Sequence, residues 1–255
     1  MELRPTPPTG APSAWPWTLY APGETLVELP HVRPLLASWD AKASHAQQEM
    51  RQYLDDVATH LKPVIGVRTD LFLSLDIDVR ARARLEKHYD LENYLYPLVN
   101  HLGHRHFVLA TARKWAADDA AAPMPYRERA HATLRVGIAH IGAALDDSWQ
   151  HVAIPMGPGP ERKEWKQTLR TQITAGVSRA PDGPLAVHLA WRAAPTRNWS
   201  ALWKPTGDAL GPILGGPDAR PFCPNDDRIV ALHLHRNDDS RLGHKLQIGV
   251  WWHDA

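Results

Sequence analysis

Asp90-Leu91-Glu92-Asn93 sets two carboxylates two residues apart, downstream of Arg80, Arg82, Arg84 and Lys87. In an extended segment, residues i and i+2 project to the same side, so both acids can reach one hard cation. Magnesium held by carboxylates and a phosphate is the usual arrangement for phosphodiester hydrolysis. The four cations upstream are suited to hold a nucleic-acid backbone beside it. The same residues also read as a helix start, with Asp90 at the cap and Glu92 in the first turn, both favoured by the helix dipole.

A second acidic pair stands in Pro224-Asn225-Asp226-Asp227-Arg228-Ile229-Val230, directly before a strand. Pro, Asn and Asp are turn formers, and adjacent acids at a strand end also fit a metal site. Lys204, on a helical segment next to Pro205, could position a scissile phosphate or stabilise developing charge, or it could be solvated surface. His101, His104 and His106 at a helix end could bind a transition metal, although no carboxylate or Cys partner is evident nearby. His233 and His235 share one strand face and read as solvated. Asp76 and Asp78 alternate with Leu75, Ile77 and Val79 and face away from the core, toward solvent or the other half of the chain. Trp199, Trp203, Trp251 and Trp252 read as packing between the halves, with base stacking the other option.

Composition narrows the field. Lys plus Arg number 29 against 28 Asp plus Glu, a net charge of +1, so nucleic-acid binding would need a local basic stripe rather than bulk charge. Apolar residues at 44% support a core and exclude wholesale disorder. The single Cys223 rules out an intramolecular disulfide framework and any Cys-rich zinc site. No apolar run approaches the ~18 residues of a membrane span, and residues 1–17 show no signal-peptide pattern, so a reducing intracellular compartment is expected.

The elements that must position these residues recur in order. Residues 1–22, with six prolines, read as a tail. The first unit opens with an apolar run, 25–30, then a helix over 44–61, whose apolar residues recur every three and four positions. An alternating strand follows over 71–79, then the basic loop, a helix over 91–102 ended by Gly103, and strands 107–112 and 132–139. The second unit repeats this with 152–155, a helix over 163–173, a strand over 185–191, and the loop 192–197. A helix over 199–214 and strands 229–235 and 245–252 complete it. Leu95-Tyr96-Pro97 aligns with Trp203-Lys204-Pro205, and Asn100-His101-Leu102-Gly103 with Asp208-Ala209-Leu210-Gly211. A repeat of about 110 residues is a whole small domain, so the pattern predicts an α+β chain of two β-α-β-α-β-β units packed as a pseudo-dimer. The units are placed at 23–145 and 146–255. A two-fold surface suits a two-fold partner such as branched DNA.

Arg197-Asn198-Trp199-Ser200-Ala201-Leu202-Trp203-Lys204, Asp208-Ala209-Leu210 and Asn225-Asp226-Asp227-Arg228-Ile229-Val230 resemble the core of the RusA-type Holliday junction resolvases. That family carries arginines, an Asp-Leu-Asp-Asn motif, a lysine, an Asp-Ala-Leu and an Asp-Asp before a strand. Its members are homodimeric, magnesium-dependent endonucleases that cut four-way junctions by paired incisions. The resemblance spans residues 24–140 and 150–253, and its motifs are divided between the units. Asp90, Glu92 and Asn93 stand at the first motif in one unit, with Tyr96 where the lysine belongs. Lys204, Asp226 and Asp227 stand in the other, with Asn198 and Ser200 at the motif aspartates.

The resemblance therefore implies a composite catalytic site of Asp90, Glu92, Lys204, Asp226 and Asp227, the four acids sharing Mg²⁺. It implies DNA contacts from Arg80, Arg82, Arg84, Lys87, Arg192, Arg197 and Arg228, action at branched or duplex DNA near the nucleoid, and self-association of the pseudo-dimer. A junction-binding protein without catalysis and a scaffold for protein interaction are the alternatives. Carboxylates that share a metal site cannot lie much beyond about 10 Å apart, so the distance between the two acidic groups decides whether the site can be shared.

Overall fold

The structure, a computed structural model, describes residues 17–32, 35, 44–66, 68–79, 90–115, 131–158, 164–177, 183–217 and 219–255. The basic loop with Arg80, Arg82, Arg84 and Lys87 lies outside the described residues.

Eight strands form one mixed, mostly antiparallel sheet: β1 (Tyr20–Val32), β2 (Leu71–Asp78), β3 (Phe107–Trp115), β4 (His131–Ile141), β5 (Gln150–Pro158), β6 (Leu185–Ala193), β7 (Ile229–Asp238) and β8 (Lys245–Asp254). Their spatial order is β1-β4-β2-β3-β7-β6-β8-β5. Read from either edge, the two halves have the same internal order and the same pairing senses. The inner pairs β2–β3 and β6–β7 are parallel, and the outer pairs are antiparallel. The halves join at the centre through antiparallel β3 and β7, with Thr111 opposite His233.

Alternation fixes which face of the sheet is covered. Leu71, Leu73, Leu75 and Ile77 on β2, and Leu246, Ile248, Val250 and Trp252 on β8, are buried together under the helices. Helix α1 (His45–Leu61) starts at Ser44, whose hydroxyl accepts from the Gln47 N–H, and contributes Met50, Leu54, Val57 and Leu61 to that core. Helix α2 (Leu91–Leu102) buries Leu95, Leu98 and Val99 and stops at Gly103, whose φ of 95° suits a residue without Cβ. Helix α3 (Glu164–Gly176) supplies Trp165, Leu169 and Ile173. Trp199, Trp203 and Trp252 are buried in the same core, as packing predicts.

Several local expectations need correcting. The helix expected over 199–214 is a 3₁₀ turn, Ser200–Leu202, then α4 (Trp203–Ala209) and the single turn α5 (Gly211–Leu214). Pro212 has no N–H to extend the ladder, and the chain leaves helical geometry at Leu210. β1 begins at Tyr20, and Trp17 is buried edge-to-face against Trp251, so the expected tail contributes to the sheet from these residues onward.

His233 and His235 are not solvated. His188 stacks on His233 with centroids 4.2 Å apart and on His235 at 5.1 Å, and Trp149 closes edge-on over His188. Asp76 is likewise engaged, paired with Arg113 at 2.7 Å and with Arg135. His101, His104 and His106 do not converge: His101 faces Asp55 at 3.2 Å and His106 Nδ1 meets the Arg68 carbonyl at 2.8 Å.

Candidate metal centre

The first acidic pair is held by α2. Asp90 occupies the position before the helix with extended backbone, but its side chain makes no capping hydrogen bond. Its Oδ2 instead accepts from the Asn93 side-chain amide at 3.0 Å. The cap reading therefore accounts for the backbone of Asp90 and not for its carboxylate. Glu92, in the first turn of the helix, is only 8% exposed. A carboxylate that deeply placed needs charge compensation, because burial of an unpaired ion costs several kcal/mol.

That compensation comes from the other half of the chain. Lys204 on α4 sets its Nζ 3.5 Å from Glu92 Oε1, 3.1 Å from Asp208 Oδ1 and 3.7 Å from Asp226 Oδ2. The Asp208 contact is the i, i+4 geometry of one helix face. Asp208 also pairs through Oδ2 with Lys166 of α3. Asp226 opens a 3₁₀ turn, Asp226–Arg228, that leads straight into central strand β7. The topology thus explains the meeting: the parallel β-α-β path of each half puts its helix over the middle of the sheet, where α2 touches both α4 and β7.

One ligand oxygen from each of Asp90, Glu92 and Asp226 lies within 4.8 Å of the others, well inside the separation that would exclude sharing. Three carboxylates are a hard oxygen donor set, suited to Mg²⁺, Mn²⁺ or Ca²⁺ rather than to thiophilic metals.

The proton affinities report the same crowding. Burial, then the negative charges of Glu92 and Asp90, push the Asp226 carboxyl up to about 7 against the opposing pull of Lys204. Burial also raises Glu92, offset in part by Lys204. Burial alone would lower Lys204, but Glu92, Asp208 and Asp226 together hold its ammonium above the usual lysine value. Even with that ammonium present, the acids carry more negative charge than the site compensates, a deficit a divalent cation would fill.

Of the other residues expected here, Asp227 lies outside the cluster; its backbone carbonyl accepts from buried Lys114 at 2.6 Å. Arg228 is buried and donates to the carbonyls of Gly183 and Leu214 at 2.9 and 2.7 Å, so its guanidinium is engaged within the fold. Arg192 pairs with Asp239, and Arg197 donates to the His244 carbonyl at 3.0 Å. Asp208 and Lys166 were not anticipated as site residues. Asp208 had a signal, the Asp-Ala-Leu motif four residues after Lys204; Lys166 had none.

The corresponding place in the other half is built differently. A 3₁₀ turn also leads into β3, but it starts at His104 where the turn before β7 starts at Asp226. Asn198 and Ser200 stand in the positions of Asp90 and Glu92, and Tyr96 and Asn100 in those of Lys204 and Asp208.

No protein-family model matches the chain, and no curated protein matches it. Among the described residues, no helix is long and apolar enough to cross a membrane.

Proposed function

We propose that this chain is a magnesium-dependent, structure-selective DNA endonuclease built on a duplicated RusA-like framework, with one composite catalytic centre drawn from both halves. The observation that carries this reading is the convergence of Asp90 and Glu92 from one half with Lys204, Asp208 and Asp226 from the other. Neither half holds a full motif, and of the charged pieces each has kept all but Asp227 meet. The repeated strand order supports duplication of an ancestral unit.

Asp90, Glu92 and Asp226 would hold the cation. When bound, it supplies Lewis acidity toward the phosphodiester and lowers the pKa of a water nucleophile. The chain's own groups do the rest. Asn93 fixes the Asp90 carboxylate through its amide, so that ligand is oriented before any cation arrives. Lys204, half-exposed beside the acids, is placed to hold a non-bridging phosphate oxygen and to offset the charge that grows there. Asp208 orients Lys204, and Lys166 steadies Asp208 from α3. With Arg192, Arg197 and Arg228 engaged by the protein, the basic loop Arg80, Arg82, Arg84 and Lys87 is left as the part of the expected DNA contact that directly precedes the centre. Such a chain would act in the cytoplasm on nucleoid DNA.

The test is incision of a labelled four-way junction with Mg²⁺. Nicking is expected in the wild type and its loss in Asp90→Asn and Glu92→Gln, with gel-shift binding retained in both. Intact junction with a normal shift would leave a non-catalytic junction binder, and absence of any shift at low salt would leave only the scaffold.

A further inference from the structure

We propose that each chain makes one incision per binding event, so that a branched DNA is released with a single nick and not as a resolved pair. The inference rests on the nuclease reading above and concerns how many centres the framework carries.

Paired cutting on a two-fold framework needs two equivalent centres. Here the sheet repeats its strand order on either side of the β3–β7 seam, but the chemistry does not repeat with it. Each place occupied by an acid or the catalytic lysine on one side holds Asn198, Ser200, Tyr96, Asn100 or His104 on the other. These groups are turned on one another. Ser200 donates both its hydroxyl and its N–H to Asn198 Oδ1, at 2.7 and 3.1 Å. The Asn198 amide then reaches across the seam to Asn100 Oδ1 at 3.4 Å. The turn that would present the third ligand is tied down from above: the His104 carbonyl accepts from Trp199 Nε1 at 2.8 Å and from the Arg236 guanidinium at 3.2 Å.

None of these five side chains is a carboxylate, and an imidazole with neutral amide, hydroxyl and phenol groups is a poor donor set for magnesium. Arg236 is buried beside His104 and paired with Asp238 at 3.3 Å, so among the described residues there is no unmatched negative charge there of the kind the acidic centre carries. Every acid of the working centre is therefore spent once per chain. In that one event water oxygen joins phosphorus, one P–O ester bond breaks, and the leaving oxygen takes the proton. The strand is left with one phosphate monoester and one hydroxyl end.

A supercoiled plasmid with an extruded cruciform reads the count directly. A single nick releases the supercoiling, the cruciform is reabsorbed and the product is open circle; two cuts within one encounter give linear DNA. Wild-type protein with Mg²⁺, at a concentration where light scattering shows single chains, is expected to give open circle without linear product. Linear DNA as the first product overturns the inference while leaving the nuclease reading intact, whereas no cleavage at all removes both. Calorimetric Mn²⁺ binding supplies a readout without DNA. Glu92→Gln is expected to abolish it, and Asn100→Ala to leave it unchanged; loss in Asn100→Ala would place a cation at the counterpart and overturn the single centre.

Discussion

The acids above the middle of the sheet and the histidines on its opposite face are both buried, yet their protons move in opposite directions. Burial and mutual repulsion push Asp226 up to about 7 and raise Glu92. Burial pulls His233 down to about 4 and drives His188 and His235 lower still, with the neighbouring histidines adding to the effect. The histidine group answers burial by staying neutral. The Tyr20 N–H donates to His235 Nδ1 at 3.1 Å, which puts the His235 proton on Nε2, from where it is given to His188 Nδ1 at 2.9 Å. The acidic group cannot answer in that way, because Lys204 keeps part of it charged. Burial of titratable groups marks a working site only where the charge is left unmatched.

Removing Lys204 is the hardest blow to that contrast. Lys204→Ala is expected to slow junction nicking by about 10²–10³-fold, the usual loss when one preorganised donor to a transition state is deleted. Mn²⁺ affinity should hold or tighten, since the three ligands keep their oxygens and lose a competing cation. Calorimetry beside the rate measurement separates the cases: if metal binding fell as steeply as the rate, Lys204 would be holding the acids together and not acting on the phosphate.

Acidity sharpens the comparison next. Asp226 has a folded pKa above its unfolded value, so between about pH 4 and 7 the folded apo chain binds more protons at the acidic centre than the unfolded chain does. That group's contribution to stability is therefore largest at low pH and is lost as pH rises through 7. His233 has the reverse sign. Its depressed folded pKa leaves its contribution present above about 6.5 and lost as pH falls toward 4. Cation binding at the centre requires the Asp226 carboxylate, with Glu92, Asp90 and Lys204 as the charged groups facing it, so Mn²⁺ affinity should fall about tenfold per pH unit below 7. Calorimetry at pH 8, 7 and 6 tests this, and a flat affinity would mean that Asp226 is not a ligand.

Much of this was legible in the chain. Strict alternation in Leu71–Val79 and Leu185–Trp191 marks the inner strands because each buries one face fully, and the three- and four-residue spacing of Met50, Leu54, Val57 and Leu61 marks α1. The complementary loss of motif residues predicts that acids of one half lie near the lysine of the other, and Glu92 is 3.5 Å from Lys204. What could not be read was whatever depends on a distant cover. His233 and His235 alternate with Leu232 and Leu234 as an amphipathic strand does, and nothing local reveals that His188 stacks on both and that the Tyr20 N–H donates to His235. Arg228 beside two acids looks like a phosphate contact until the carbonyls of Gly183 and Leu214 are seen to take its guanidinium. Lys166 met Asp208 only through the packing of α3 on α4, a contact without a sequence signature.

The smallest functional effect belongs to the histidines, and it is the one that would undo the contrast if it were large. His235→Leu places an apolar side chain of similar reach there but leaves the Tyr20 N–H without its acceptor and His188 Nδ1 without its donor, each orphaned group costing about 1–3 kcal/mol. Denaturant unfolding at pH 7.5 should register that loss. Because the sheet separates the histidines from the acids and no hydrogen bond joins the two groups among the described residues, the nicking rate of the folded variant should match the wild type. If the rate fell with Mn²⁺ affinity unchanged, the histidines would be contributing to catalysis, and burial without unmatched charge could no longer be read as purely structural.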